Sequence, residues 1–370
     1  MHMRLVLCGG GTGGHIYPAL SVLEALTHEL GLEDQLDVLY LGQAGALEDE
    51  LVSRVGIPFQ TVPAGPVRGR YPWQLPGSLL RVLLGTWRAR RALARFGAQV
   101  VLSTGGYASV PVAMAAWTKG VPLVVFLPDV LPGWAVRFMS RLAARVAVST
   151  SMTPARMLDG KVRVTGYPVR RDFWLADKTE GRRRLGLDLE EKVLFISGAS
   201  QGARSINEAV AASLRGLLEL CQVVHVCGQR DYPWLKEVRA SLNGNLRERY
   251  FLFPYLHEEL PWAMAAADLA VTRAGASVLG ELPAVGLPAV LVPYPHAGGH
   301  QRHNARYLEE AGAALVVEDG RLKDELLPLV GQLLSDERRR QEMAAAARRL
   351  ARPDAARNIA RLLLEVSQAR

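Results

Sequence analysis

The stretch "GGGTGGHIYPAL", residues 9–20, sets a histidine directly behind a run of glycines. Upstream, "MRLVLC" is a short apolar run of strand type. Downstream, Ala19, Val22, Leu23, Leu26 and Leu30 recur at helical spacing, with Pro18 suited to the first turn. Strand, glycine loop and helix in this order leave backbone N–H groups pointing outward at a helix N-terminus, where an anion can be held. His15 is thereby expected beside a phosphate, and a neutral imidazole there can take a proton from an attacking hydroxyl. The second half of the chain carries loops of related character. "GASQGA" (198–203) supplies turn amides and the Ser200 hydroxyl, and "TRAGASVLGE" (272–281) follows a strand-like run and opens a helix. Glu281 can accept hydrogen bonds from both hydroxyls of a ribose, and Arg170 in "GYPVRR" can neutralise a diphosphate. The plain alternatives are a solvated helix face for Glu281 and an interdomain salt bridge for Arg170. "HAGGHQRHNA" (296–305) is unusually polar after the apolar "PAVLVP", with His300 and Gln301 near its end. These loops read as parts of a nucleotide-diphosphate site.

Other chemistries fit less well. Gly9, Gly11 and Gly14 match G-x-G-x-x-G, but a dinucleotide site also needs an acidic residue at the end of the second strand. That strand, "DVLYLG", runs into Gln43-Ala44, and Glu48 comes too late. A phosphate-binding loop of the Gly-Lys-Ser/Thr type is missing. The acidic runs Glu48-Asp49-Glu50 and Asp188-Leu189-Glu190 read as polar segments away from strand ends, so no metal motif is expected. Cys8, Cys221 and Cys227 have no zinc spacing and read as reduced core residues of a cytosolic protein.

These residues need a scaffold, and the chain alternates strand-like runs with helical patterns throughout. "DVLYLG", "AQVVLS", "PLVVF" and "ARVAVS" come first, then "KVLFIS", "CQVVHV", "YFLFP", "DLAVT", "PAVLVP" and "AALVV". Such alternation means βαβ units and a parallel sheet with buried strands. The halves open alike, "LVLCGGGTGGH" and "VLFISGASQGA", so two doubly wound α/β domains are expected with a join near residues 165–174. In that architecture ligands lie outside the carboxyl ends of the strands. With 370 residues, 49% of them hydrophobic, the chain is long enough for two such cores. The final stretch reads as helix broken at Pro353 that packs back onto the first domain. The expected segments are 1–166, 167–345 and 346–370.

The net charge of +8 suits nucleic acid, an anionic membrane or a phosphorylated substrate. "RVLLGTWRARRALARF" (81–96) intersperses Arg81, Arg88, Arg90, Arg91 and Arg95 with leucine, valine and tryptophan, the composition of a surface-lying amphipathic helix. The apolar stretch 73–87 is interrupted by Pro76 and Arg81, which argues against a transmembrane span. No cleavable leader is read at the N-terminus. Nucleic acid is not expected, because no zinc-finger, helix-turn-helix or RNP signature is found.

In order, "GGGTGGHIYPAL", "STGGYASVP", "GYPVR", "GASQGA", "RAGAS…GE" and "HQRHNA" resemble the MurG family of glycosyltransferases of peptidoglycan synthesis, over nearly the whole chain. The resemblance implies a GT-B fold, two Rossmann-like domains facing across a cleft, and inverting transfer without metal or cofactor. It implies UDP-N-acetylglucosamine as donor, held mainly by the C-terminal domain. The acceptor it implies is the undecaprenyl-pyrophosphoryl muramyl-pentapeptide, held by an N-terminal domain at the cytoplasmic face of an anionic membrane. His15 then matches the base. Gly10 and Gly11, with Gly105, Gly106 and Tyr107, match acceptor loops, and Thr12, Gly13 and Gly14 match the loop facing the transferred sugar and acceptor diphosphate. Arg170 and Ser200 match contacts near the donor diphosphate, and Leu256 the uracil contact. Gly275, Ala276, Ser277, Val278, Leu279, Gly280 and Glu281 match the phosphate–ribose segment. His300 and Gln301 match a sugar-contacting glutamine pair. The chain departs from the family at "FLPD", where Asp129 stands for an asparagine facing the donor sugar, at Ala274 to Val278, and at His300. These departures bear on which sugar is transferred. A related transferase with another sugar nucleotide or lipid acceptor, or a non-catalytic UDP-sugar sensor, remains the competing expectation.

Overall fold

A computed structural model of the chain describes residues 2–10, 13–45, 47–65, 75–154, 161–199, 202–296 and 299–368. The candidates Gly11, Thr12 and Ser200 lie outside these residues, as do the first two positions of the Trp/Arg stretch 73–95. The chain divides into two compact units. One comprises Met1–Arg170 with Pro353–Arg370, the other Arg171–Arg352.

The first unit is built on strands β1 (Met3–Cys8), β2 (Leu36–Gly42), β3 (Phe59–Thr61), β4 (Val100–Ser103), β5 (Leu123–Leu127), β6 (Arg145–Val148) and β7 (Val162–Val164). They pair in the order β3-β2-β1-β4-β5-β6-β7, every pair parallel. The second unit holds β8 (Val193–Ser197), β9 (Gln222–Val226), β10 (Tyr250–Phe253), β11 (Leu269–Thr272), β12 (Ala289–Leu291) and β13 (Ala314–Val316). Their order is β10-β9-β8-β11-β12-β13, again all parallel. Parallel strands must be connected by crossovers, which cover both faces of the sheet, and the central strands are accordingly buried along their whole length. Every residue of β4, β5, β8 and β9 is buried. The short edge strands β3 and β7 are partly exposed, and neither is read from sequence, because "FQT" and "VRV" carry no continuous apolar run.

Each core forms where the inward stripe of a helix meets a sheet face. In the first unit Val6, Val101, Val125 and Val146 pack with Ala89 and Leu93 of helix Leu75–Phe96 and with Val112 and Ala116 of helix Val110–Lys119. In the second, Leu194, Ile196, Val223 and Val271 pack with Ile206, Val210 and Leu214 of helix Arg204–Leu220. The C-terminal segment differs from its expected start at 346. Ala346 and Ala347 are buried within helix Glu337–Leu350 of the second unit, and the chain passes to the first unit only at Pro353. There helix Ala355–Gln368 buries Ile359, Ala360 and Leu363 and is tied by Arg145–Glu365 (2.9 Å) and Arg357–Glu29 (2.7 Å).

The second core contains a closed polar network. The Tyr250 hydroxyl donates to His225 Nδ1 (2.8 Å), and His225 Nε2–H donates to Asn207 Oδ1 (3.0 Å). Asn207 Nδ2 in turn donates to the Cys227 carbonyl (2.9 Å) and Asp231 Oδ2 (2.7 Å). The amide donors settle the histidine tautomer, since Asn207 Oδ1 can only accept. Burial pushes the His225 imidazole down to about 3, from its ordinary 6.5. Between those values the unfolded chain binds a proton that the folded chain excludes, so stability present above pH 6.5 is lost as pH falls toward 3. Urea midpoints measured across that window should therefore fall with decreasing pH, and the fall should be shallower in His225→Gln, whatever that variant's absolute stability.

Candidate active site

In each sheet the strand order reverses once, between β1 and β4 and between β8 and β11. Side chains and amides beyond the carboxyl ends of the strands at such a point are left uncovered by crossovers, which makes it the place for a ligand. In the first unit the two loops there are the glycine run after Cys8 and the "TGGY" loop after Ser103. They are laced together. Thr104 N–H donates to the Cys8 carbonyl (2.9 Å), and the Thr104 hydroxyl donates to the His15 carbonyl (2.5 Å). A methyl group on Gly9 would lie 2.0 Å from Thr104 Oγ1, and one on Gly106, whose φ is +83°, 2.6 Å from the Gly10 carbonyl. Only glycine permits this approach.

Helix Gly13–Glu24 leaves the first loop with His15 in its opening turn. Pro18 has no N–H, so the Gly14 carbonyl receives no bond from the next helical turn. The Tyr167 hydroxyl supplies one instead (3.1 Å). His15 is half-buried, and its Nδ1 lies 2.7 Å from the Thr104 carbonyl oxygen. A carbonyl can only accept, so Nδ1 carries the proton and Nε2 of the neutral ring is the acceptor.

Arg170, expected among donor contacts of the C-terminal domain, belongs to the first unit, its guanidinium 4.8 Å above the ring of Tyr17 on the His15 helix. Tyr107 is exposed and donates to Gln43 Oε1 (3.2 Å). Asp129 is half-buried in the loop after β5, where Ser149 Oγ holds the Pro128 carbonyl (2.8 Å). The following helix, Trp134–Leu142, has Gly133 at its N-cap. Glu48 corrects the sequence reading. It is fully buried beside the carboxyl end of β2, not in a polar segment away from strand ends. Helix Leu47–Arg54 folds back there, so that a methyl group on Gly10 would come 2.4 Å from Glu48 Oε1. Glu48 was therefore missed as part of the site, since a lone acidic triplet in sequence looks solvated.

In the second unit the loop after β8 turns through Ala199, at φ +64°, and Gly202, whose N–H donates to the Ala199 carbonyl (3.0 Å). It leads into helix Arg204–Leu220. The turn after β11 leads into helix Val278–Val285. Gly275, Ala276, Ser277 and Glu281 are half-buried, with open space around Gly275, whereas Val278, Leu279 and Gly280 are buried in the packed side of that helix. Leu256, after β10, is also buried, and Tyr255 and His257 flank it with their rings 4.4 Å apart. His300 and Gln301 open helix His300–Glu310, and Gln301 Oε1 accepts from the Tyr294 N–H (2.8 Å). Two residues that the sequence reading passed over hold this turn. Asn304 is fully buried and donates to the Ala274 carbonyl (3.1 Å). Arg273 is buried, donates to the Val292 carbonyl (3.1 Å) and Ser205 Oγ (2.7 Å), and pairs with Asp319. Their signal was their position within the quoted motifs. Among the described residues no group of three or more His, Cys, Asp or Glu is arranged to hold a metal ion.

Two family models match the chain, the glycosyltransferase family 28 N-terminal domain over residues 5–148 and its C-terminal domain over 193–359. The chain belongs to the MurG family of family-28 glycosyltransferases. The UDP-N-acetylglucosamine–N-acetylmuramyl-(pentapeptide) pyrophosphoryl-undecaprenol N-acetylglucosamine transferase of Roseiflexus sp. (strain RS-1) is 42% identical, covering 98% of this chain and 94% of its own. The enzyme of the same name from Halothermothrix orenii is 36% identical over 99% of this chain and 100% of its own. The crystal structure of Acinetobacter baumannii MurG superposes with a TM-score of 0.75 at 25% identity, covering 98% and 99% of the two chains. The Neisseria meningitidis UDP-GlcNAc 2-epimerase bound to UDP-GlcNAc shares the fold, with a TM-score of 0.67 at 16% identity over 98% and 100% of the chains.

In this MurG-family chain Arg273 organises the turn from beneath, so its loss leaves the Asp319 carboxylate and the Val292 carbonyl short of a partner. Arg273→Met should lower unfolding free energy by roughly 3 kcal/mol, the usual order for breaking a buried pair. Urea denaturation followed by far-ultraviolet circular dichroism measures it.

Proposed function

We propose that this glycosyltransferase moves N-acetylglucosamine from UDP-N-acetylglucosamine to the lipid-linked muramyl-pentapeptide by a single inverting displacement. One observation carries the chemical part of this reading, the bond from His15 Nδ1 to the Thr104 carbonyl. It fixes the ring in the tautomer a general base needs, with Nε2 ready to accept. As the acceptor hydroxyl attacks the anomeric carbon, its proton passes to Nε2, the bond from that carbon to the diphosphate oxygen breaks, and UDP departs with the electron pair. Charge develops on the diphosphate, and preorganised donors are most effective against such charge. The helix N-termini at Gly13, Arg204 and Val278 and the Arg170 guanidinium are the groups assigned to the diphosphates of acceptor and donor. We assign Gly10, Gly105, Gly106 and Tyr107 to the acceptor, and Gly275 to Ser277, Glu281, Leu256, His300 and Gln301 to the donor. Asp129 can accept from sugar hydroxyls but cannot donate, so a panel of UDP-sugars tests the sugar assignment as well as the activity.

His15→Ala should lower kcat by roughly 10²–10⁴-fold, the range of a positioned general base, while UDP-sugar binding by calorimetry changes little. A loss under about fivefold would assign the proton to another group.

A membrane surface is the second element of the proposal. Helix Leu75–Phe96 turns Val82, Ala89, Ala92 and Leu93 inward and leaves Leu79, Leu80, Leu83, Leu84 and Trp87 exposed among Arg81, Arg88 and Arg91. The Arg91 guanidinium lies 4.7 Å over the Trp87 ring. Trp117 on helix Val110–Lys119, which packs beside it, is exposed as well. Such a face is suited to lying in a bilayer interface with its arginines toward anionic headgroups. Among the described residues no helix is long and apolar enough to cross a membrane. Co-sedimentation with anionic liposomes should fall as salt shrinks the Debye length from ~10 to ~3 Å, and fall further in Arg88→Ser/Arg91→Ser. Arg90 is left in place because it donates to the Thr118 carbonyl (2.8 Å) and supports the helix pair. Binding indifferent to salt would refute the electrostatic component.

A further inference from the structure

Glu48 is a fully buried carboxylate that the mechanism above does not use. It lies under the first glycine loop, where a methyl group on Gly10 would meet its Oε1 at 2.4 Å. Its Oε1 also faces the backbone N–H of Gln43, at 3.4 Å. Gln43, at the end of β2, uses both ends of its side chain. Its Nε2 donates to the Ala64 carbonyl (3.1 Å), and its Oε1 accepts from the Tyr107 hydroxyl (3.2 Å) in the second loop. The loops also meet directly where Gly106 passes over the Gly10 carbonyl. A ring of contacts thus runs from Gly10 to Glu48, to Gln43, to Tyr107 and back through Gly106. Close by, Tyr40 donates to the Gly9 carbonyl (2.7 Å), and burial together with Cys8 and Glu48 holds its phenol protonated as a donor.

A buried carboxyl group is costly unless its oxygens find hydrogen-bond partners, so one kept at this point ties down the backbone around it. This one sits beneath the first of two glycine loops that Thr104 already joins at their bases, and it reaches the second through Gln43 and Tyr107. We propose that Glu48 is a positioning residue for the transfer reaction, setting the first loop through Gly10 and the second through Gln43 and Tyr107. Both acceptor loops are thereby held at one spacing. The proposal rests on the acceptor role given to those loops above.

Two kinds of measurement test it, one independent of activity. In Glu48→Ala, amide exchange at Gly9–Gly10 and at Gly105–Tyr107 should both quicken by roughly tenfold, while Gln43→Ala quickens the second loop alone. In transfer assays with the full chain, Glu48→Ala should lose about 10²-fold in kcat/KM for the lipid acceptor, with KM for the UDP-sugar unchanged. Glu48→Gln keeps the length and one acceptor oxygen and should recover most of that loss. Gly10→Ala should be impaired by its clash with Glu48, and the double variant Gly10→Ala/Glu48→Ala should be no worse than Glu48→Ala alone. Exchange unchanged in both loops, or losses at Gly10 and Glu48 that simply add, would overturn the positioning role. If the wild-type chain transfers no sugar while exchange responds as stated, the functional reading fails and the positioning of the loops by Glu48 stands.

Discussion

The pairing of β1 with β4 is the constraint on which the first unit depends. These strands are far apart in sequence, and their register, Cys8 opposite Ser103, decides where each following loop begins. Thr104 extends the pairing by one bond to the Cys8 carbonyl and then turns its own carbonyl toward His15. One backbone ladder therefore sets where the two glycine loops start and how the imidazole is oriented. A slip of one residue would reverse the faces of the strand and remove both. The glycines follow from that closeness, since at Gly9 and Gly106 a side chain would occupy space already taken by Thr104 and Gly10.

The second unit repeats the topology with different polar support. Its loops are held from below by buried groups, with Arg273 bridging Ser205, Asp319 and Val292, and Asn304 holding Ala274. The His225–Asn207–Asp231 network anchors the end of β9 at Cys227, which the Gly202 turn approaches closely. Such networks are stable only when every member is satisfied, and then they leave the backbone little freedom. Rigid loops suit a reaction in which charge appears on a diphosphate, because donors already in place need not reorganise.

The structure redistributes the candidates between the units. Arg170 stacks on Tyr17 in the unit that carries His15, although the sequence grouped it with the donor loops. Glu48, discounted as a solvated acid, is buried beneath Gly10. Within the "RAGAS…GE" run, Val278 and Leu279 serve the core, while Gly275 to Ser277 and Glu281 are the residues left accessible.

What was legible in the chain itself was everything that depends on local order. Strand, glycine-containing turn and helix are contiguous, so the turns that open helices after β1 and β11, the histidine behind the first, and the two repeated halves could all be read directly. The buried strands announced themselves as largely apolar runs, and the edge strands β3 and β7 did not, because most of their residues face water and form no continuous apolar run. Tertiary structure alone decided the rest. Thr104 is 89 residues from the histidine it orients, Tyr167 is 153 residues from the Gly14 carbonyl it satisfies, and Tyr107 is 64 residues from Gln43. A hydrogen bond reports on distance in space, and no local periodicity encodes which distant residue a parallel sheet will bring alongside.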